Sequence, residues 1–324
     1  MPPAAIAVRF AVPENCAGMR LDQVLAQLLP QHSRSRLQAW LGDGRIRLDG
    51  AAAPSKRKVW GGERIEIDAP PESAHGDDLA EDIALTVVHE DADLLVIDKP
   101  AGLVVHPGNG NRTGTLLNAL LARHPAQAQL PRAGIVHRLD KDTSGLMVVA
   151  RTAEAQTALV RQLQAHSVSR TYLAVAAGEL KQDCRIEAPV GRHPTLRTRM
   201  AVVGSGKPAV THVHVRQRGG GWTLIECSLE TGRTHQIRVH LDSIGHPLLG
   251  DPVYGAGRRA RLAGGAGATF SRQALHAWRL ALDHPASHDR CSWQAEPPTD
   301  FIALLAELRA GNAGPSPPAS AAPR

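Results

Sequence analysis

Ile135-Val136-His137-Arg138-Leu139-Asp140-Lys141-Asp142-Thr143-Ser144-Gly145-Leu146-Met147-Val148-Val149-Ala150 sets five ionisable side chains between two β-branched runs. The pattern predicts a strand, a polar loop, and a second strand in which Leu146 to Ala150 offer no polar face and so are buried on both sides. Asp140 and Asp142, two residues apart beside Arg138 and Lys141, admit three readings. One is a turn in which Asp142 or Thr143 caps backbone groups. Another is an acid/base pair on a glycosidic bond, which asks for carboxyls about 5 to 9 Å apart. The third is a single ionised carboxylate acting at a ribose. Spacing alone leaves all three open.

Outward from this segment, strand-like runs fall at Leu94–Asp98, Tyr172–Ala176, Val210–Val215 and Trp222–Leu229. Between them lie helical patterns at Thr115–Arg123 and Glu154–Ala165. Such interleaving without a regular repeat predicts an α+β domain on a mixed, mainly antiparallel sheet flanked by helices and loops. No stretch matches a P-loop or a dinucleotide fingerprint. Gly108-Asn-Gly-Asn-Arg-Thr-Gly114 is Gly-rich, but it lacks the Lys-Ser/Thr pair and does not open from a strand, so it is a turn and neither ATP nor NAD is implied.

A smaller unit precedes this domain. Leu21, Val24, Leu25, Leu28 and Leu29 form one apolar helical stripe ending near Pro30. A second helix, capped by Ser33 or Ser35, buries Leu37, Trp40 and Leu41 and stops at Gly44. Arg45-Ile46-Arg47-Leu48 alternates like a strand, Asp49-Gly50 is a hairpin turn signal, and Arg64-Ile65-Glu66-Ile67 alternates again after Gly61-Gly62. Arg34, Arg36, Arg45 and Arg47, with Lys56, Arg57 and Lys58, make either a platform for phosphates or an ordinary solvated surface.

The 324 residues carry a formal net charge of +6, unevenly placed. Residues 1–19 sum to zero, 20–68 to +3, 69–98 to −9 with no Lys or Arg, and 99–324 to +12. Two basic units joined by an acidic, Pro-containing linker follow from that profile: an N-terminal extension at 1–18, a small domain at 19–68, the linker at 69–82, and a large domain at 83–310. Residues 311–324, GNAGPSPPASAAPR, have the composition of a disordered tail. No apolar run reaches the roughly 18 residues a membrane span needs, and the first residues lack a secretory pattern. Cys16, Cys184, Cys227 and Cys291 are too far apart for C-x-x-C motifs and are expected as reduced thiols in cytoplasm. His212 with His214, and His235 with His240, could be weighed as metal ligands, but no Cys or carboxylate completes a set, and no metal is expected.

The order R-L-D-x-x-L-A, S-R-S-R-L and G-R-I-R-L-D-G over about residues 19–68 resembles the S4 domain, an RNA-binding module. H-R-L-D-K-D-T-S-G-L, from His137, is similar to the signature of the RluA family of pseudouridine synthases. Four further ordered motifs extend the resemblance. They are Asp98-Lys99-Pro100-Ala101-Gly102-Leu103-Val104-Val105-His106-Pro107, then Arg170-Thr171-Tyr172, then Thr231-Gly232-Arg233-Thr234-His235-Gln236-Ile237-Arg238-Val239-His240, then Gly245 to Gly255. Arg192 to Thr195, Arg197-Thr198 and Gly206 to His212 further resemble the RluD branch, which modifies large-subunit ribosomal RNA.

The resemblance implies an isomerase that breaks the uridine N1–C1′ bond, turns the base, and joins C5 to C1′, a redox-neutral change needing no cofactor. Asp140 is implied as the carboxylate that attacks C1′ or removes the C2′ proton. Arg233 is implied as its charged partner, Tyr172 as the ring stacked on the target base, and Arg138 as the side chain entering the RNA where the base was. His137 and His235 are expected to line the substrate, and the small domain to hold RNA through Arg34, Arg36, Arg45, Lys56, Arg57 and Lys58. The expected partner is 23S ribosomal RNA, free or in a 50S or pre-50S particle, with the helix 69 loop as target and a monomeric enzyme. The competing expectations are a synthase of the same family acting on other 23S ribosomal RNA or tRNA uridines, and a ribosome-assembly protein that binds RNA without chemistry.

Overall fold

Two units, Met1–Asp77 and Asp78–Arg324, divide the chain. The computed structural model describes residues 6–29, 34–69, 79–108, 110–196, 198–255 and 270–312. In the first unit the order is β1 (Ile6–Ala11), α1 (Leu21–Leu28), α2 (Arg34–Gly42), β2 (Ile46–Leu48), β3 (Ala51–Ala52) and β4 (Arg64–Ala69). Its sheet runs β1-β4-β2-β3, antiparallel throughout. The expected helical stripe is buried where it should be: Leu21, Val24 and Leu25 meet Leu37, Leu41, Ile46 and Ile65 in one core. Asp49 and Gly50 have φ of 54° and 77°, the two positive values that a two-residue hairpin turn requires.

Residues 6–18, expected as an extension ahead of this domain, are part of it. Strand β1 pairs with β4 from Ile6↔Ala69 to Ala11↔Arg64, and Val12 and Cys16 enter the core. The cause is a β4 edge that β2 leaves open, with Val8 opposite Ile67 and Phe10 opposite Ile65. Of the acidic linker, 70–78 lies outside the described residues, whereas 79–82 belongs to the large unit: Asn118 Nδ2 donates to Leu79 O at 2.7 Å and Gly114 N to Glu81 Oε1 at 2.9 Å.

The large unit contains β5 (Thr86–Glu90), β6 (Leu94–Lys99), α3 (Leu116–Arg123), β7 (Ser144–Ala150), α4 (Ala153–Gln164), β8 (Ser169–Ala177), β9 (Cys184–Glu187), β10 (Val190–Arg192), β11 (Met200–Val202), β12 (Val210–Gly219), β13 (Trp222–Leu229), α5 (Gln236–Ser243), β14 (Leu275–Asp283), β15 (Arg290–Gln294) and α6 (Thr299–Asn312). The main sheet runs β5-β6-β7-β14-β8-β13-β12-β9, with β15 on β14 and a separate β10-β11 pair. Among the described residues the short β7/β14 contact is the one parallel pairing of this sheet, so the sheet is mixed and mainly antiparallel. Strand β7 is buried at every position because each face has a covering layer. Met147 and Val149 meet α3 and α5 through Leu120, Ile237 and Leu241, while Leu146, Val148 and Ala150 meet Ala155 and Leu159 of α4. Helix α6 closes a third cluster, Phe301, Leu304 and Leu308 on Val175 and Trp222.

The strand expected before the polar loop is reduced to one bridge, Ile135↔Val149. Gly311 and Asn312, expected in the tail, belong to α6; residues 313–324 and the Gly-rich 263–268 stretch lie outside the described residues. No described helix is long and apolar enough to cross a membrane.

Candidate active site

The loop at Asp140 is tied down residue by residue. Thr143 N donates to Asp140 O at 3.1 Å, closing a turn. Lys99, fully buried at the end of β6, donates to the carbonyls of Pro100, Leu103 and Lys141 at 2.8, 3.0 and 2.9 Å. Its three N–H groups are thus all used. Burial pulls its pKa down to about 8, against the pull of Asp142 and Asp140. Arg272 donates to Asp142 O at 3.1 Å and Gln273 Nε2 to Thr143 Oγ1 at 3.1 Å. His276 Nε2–H is directed at Ala295 O at 2.9 Å, which leaves Nδ1 to accept from the Ser144 hydroxyl at 2.9 Å. Gly145, at φ 112°, then passes so close to β14 that a Cβ would stand 2.3 Å from Ala277 O; only glycine fits that crossing.

Opposite the loop, α5 supplies the charge partner. Arg238 Nη1 donates to Asp140 Oδ2 at 3.0 Å, while Nε and Nη2 grip Asp251 at 2.7 and 2.8 Å in a two-pronged pair. Asp251 is fully buried and also accepts from Val253 N at 2.8 Å and Tyr254 N at 3.0 Å. Burial works against the charge on Arg238, and the two carboxylates more than restore it, raising its pKa. The Tyr254 ring lies 5.0 Å from the guanidinium carbon. Tyr254 OH accepts from Met200 N at 3.0 Å and so donates to His235 Nδ1 at 2.9 Å, leaving His235 Nε2–H 3.8 Å from Asp140 Oδ1. Burial lowers the His235 pKa although Asp140 opposes it, so this ring approaches the carboxylate as a neutral donor.

The arginine implied as partner, Arg233, is placed differently. Its Nε donates to Pro208 O at 3.1 Å, and the ion pair with Asp140 is made by Arg238, five residues later. The local backbone explains the exchange. His235 caps α5 in the left-handed region at φ 57°, so the chain reverses between the two arginines. Gln236 fixes that reversal: its Oε1 accepts from Thr231 Oγ1 at 2.7 Å and Arg233 N at 2.9 Å, and its Nε2 donates to Val210 O at 2.9 Å and Thr211 Oγ1 at 3.0 Å. Arg238 follows within the first turn of α5, 4% exposed.

Tyr172 lies on β8, on the sheet face covered by α3 and α5, and is influenced by the Asp140 charge. Burial raises the pKa of its hydroxyl. Arg138 is exposed beside the loop. His137 serves the protein: its Nε2 accepts from Val148 N at 3.0 Å, occupying a β7 edge that β14 has left, and burial lowers its pKa to about 3. It therefore brings no positive charge to a phosphate. In the small unit Arg45, Lys56, Arg57 and Lys58 are exposed. Arg34 and Arg36 open α2, and their side chains lie outside the described residues. Arg197 is likewise outside them.

Of the three readings of the Asp140 loop, the geometry favours the single carboxylate. The acid coupled to Asp140 is Asp251, not Asp142, and Asp251 is sealed at 0% exposure whereas Asp140 is 16% exposed. The histidines weighed as metal ligands go to separate partners: His212 to Glu230, His214 to Asp183, His235 to Tyr254, and His240 to Thr211 and Ala188. Arg238, Asp251, Tyr254 and Lys99 all stand inside the motifs quoted above, but spacing gave none of them a role.

The RNA pseudouridylate synthase family model matches residues 93–243 and the S4 domain model residues 19–65. Ribosomal large subunit pseudouridine synthase D of Nitrosomonas europaea is 57% identical over 93% of this chain and 88% of its own length. The protein of the same name from Pseudomonas aeruginosa is 54% identical over 92% and 94%. Among solved structures, human RNA pseudouridylate synthase domain containing 1 covers 74% of this chain and 98% of its own at 26% identity, with a TM-score of 0.54. With relatives this similar over most of both chains, and with an S4 domain ahead of the matched synthase domain, this chain belongs to the RNA pseudouridylate synthase family, isomerases that turn uridine into pseudouridine in RNA.

Proposed function

We propose that the protein isomerises uridine in 23S ribosomal RNA, at the loop of helix 69, as a cytoplasmic monomer. The observation that carries the chemistry is the fixed chain Asp251–Arg238–Asp140, which leaves one partly exposed carboxylate aimed from a rigid loop. Asp140 either attacks C1′ or removes the C2′ proton; both routes free the base by breaking N1–C1′. A carboxylate whose position is set before substrate arrives loses little on reaching the reactive geometry. Tyr172 holds the uracil ring while it turns, and its hydroxyl helps move the C5 proton. Arg138 fills the stack that the extruded base leaves, which offsets part of an unstacking cost on the order of a few kcal/mol. The substrate follows from the names and high identity of the relatives and from the basic small unit, whose exposed Arg45, Lys56, Arg57 and Lys58 suit a phosphate backbone.

The test is Asp140→Asn on a transcript spanning helix 69, with pseudouridine detected by carbodiimide-blocked primer extension. The wild type should convert uridines in that loop and the variant none, with RNA affinity within about threefold. Pseudouridine made by Asp140→Asn would sink the catalytic assignment; conversion only outside helix 69 would sink the target.

A further inference from the structure

Arg170 is the anomaly of the site. It lies on β8 two residues before Tyr172, so the two side chains share the face that carries Asp140 and α5. It is 8% exposed. Arg238, Arg272 and Arg20 each meet a carboxylate within 3.0 Å, but the Arg170 side chain makes no ion pair or hydrogen bond to a described residue; its Nε is buried without a partner, while Nη1 and Nη2 are not sealed. Its guanidinium instead rests against the backbone of the 231–235 turn: a Cβ on Gly232 would stand 2.5 Å from Arg170 Nη1. Gly232 is therefore the residue that makes room for it. Tyr172 and His137 both lie within reach of its charge.

A guanidinium whose Nε–H is buried without a partner and whose four Nη–H donors are unbonded but open to solvent keeps most of its hydrogen-bonding capacity for a ligand. The ligand that matches is an anion with two oxygens in one plane, because Arg pairs with it through parallel hydrogen bonds. A uracil carbonyl would satisfy one donor and leave the charge unbalanced. We propose that Arg170 is a phosphate subsite: it binds the phosphodiester next to the target uridine and so fixes the extruded nucleotide's sugar against Asp140. The inference rests on the reading of Asp140 and Tyr172 given above. It makes Arg170 a substrate-positioning residue, distinct from Arg238, which is already held by Asp140 and Asp251.

The experiment pairs protein and RNA changes. A short stem–loop containing a uridine that the wild-type enzyme converts is made with one neutral methylphosphonate at a time on the linkages around it. Turnover is compared for the wild type, Arg170→Met and Arg170→Lys, each checked for an unchanged melting temperature. Neutralising one linkage adjacent to the target should cut wild-type kcat/KM roughly ten- to a hundredfold, the scale of a charge-assisted pair. Arg170→Met should show that loss on unmodified RNA and no further loss on the neutral linkage, while Arg170→Lys recovers part of it. The proposal is overturned if no adjacent linkage affects the wild type more than distant ones do, or if the two losses multiply. Should Arg170→Met fold poorly, the wild-type scan and Arg170→Lys still decide. Because any converted uridine serves, the result does not depend on helix 69, and Asp140→Asn tests the underlying chemistry separately.

Discussion

The two units use charge in opposite ways. In the large unit the charges near the site are buried and mostly committed to other groups of the protein: Asp251 to Arg238, Arg238 to Asp140, Lys99 to three carbonyls. In the small unit Arg45, Arg47, Lys56, Arg57 and Lys58 are exposed, and what is fixed is the backbone beneath them. Leu21 N and Asp22 N at the head of α1 donate to Arg57 O and Ser55 O at 2.8 and 3.0 Å, and Val59 N to Met19 O at 3.0 Å. Buried charge sets geometry to a fraction of an ångström; exposed charge on a firm base supplies affinity without dictating register. The exception in the small unit follows the first rule: Asp22, 0% exposed, ties Arg20 and Gln38 together and so joins α1 to α2. Substitutions in the two units should therefore differ in kind as well as size.

The largest effect is expected at Arg238. Arg238→Ala leaves Asp251 buried and unpaired, which costs about 3 to 5 kcal/mol of stability, and it removes the group that orients Asp140. Turnover should fall by about a thousandfold or more, with a lower melting temperature. Arg233→Ala removes one bond to Pro208 O and should stay within about tenfold of the wild type. Equal losses in the two variants, measured as single-turnover rates, would mean that the arginines exchange roles when RNA binds.

Lys99 gives the next effect and a pH signature. Lys99→Met strands the carbonyls of Pro100 and Leu103 and leaves Lys141 O only its bond from Gly102 N, so the Asp140 loop loosens and turnover should drop about ten- to a hundredfold. Its folded pKa of about 8 lies below the 10.5 of the free side chain. The folded state thus prefers the neutral amine, and this group's contribution to stability is lowest below pH 8 and rises between pH 8 and 10.5. A neutral amine has only two N–H groups for three carbonyls. Wild-type turnover should therefore decline as pH rises through about 8 while stability does not decline in step. If Lys99→Met shows the same decline, Lys99 is not its source.

How much of this was legible in the sequence depends on the range of the contacts. Strands β6, β7, β8, β12 and β13, with helices α3 and α4, announce themselves by local period, and the hairpin at Asp49-Gly50 by its dihedral demands. Strand β14, LHAWRLALD, does not, because polar His276 is buried between Ser144 and Ala295 while Trp278 and Arg279 stack on each other. Asp140 and Tyr172 were found through motifs, which compress long-range geometry into short strings. The choice between Arg233 and Arg238 could not be read the same way. It depends on a left-handed residue at His235 and on Asp251, 13 positions beyond Arg238. Spacing likewise could not show that residues 6–11 complete the small sheet, since β1 pairs with a strand nearly sixty residues away.

The smallest expected effect on chemistry, and the cleanest contrast with Arg238, lies at Lys56, Arg57 and Lys58. Their side chains are exposed while Leu21, Asp22 and Val59 hold the backbone around them, so the triple alanine variant should melt within a degree or two of the wild type. If each contacts one phosphate, the slope of log affinity against log salt should shrink by about 2 to 3, since each contact contributes roughly 0.7 to 0.9. Turnover at saturating RNA should stay within about twofold, because none of the three helps to place Asp140. A slope that does not change would show that these residues face solvent in the complex as well. A loss of turnover at saturation would be more consequential, since it would show that the exposed charges of the small unit also set the position of the reacting nucleotide, a task otherwise left to residues of the large unit.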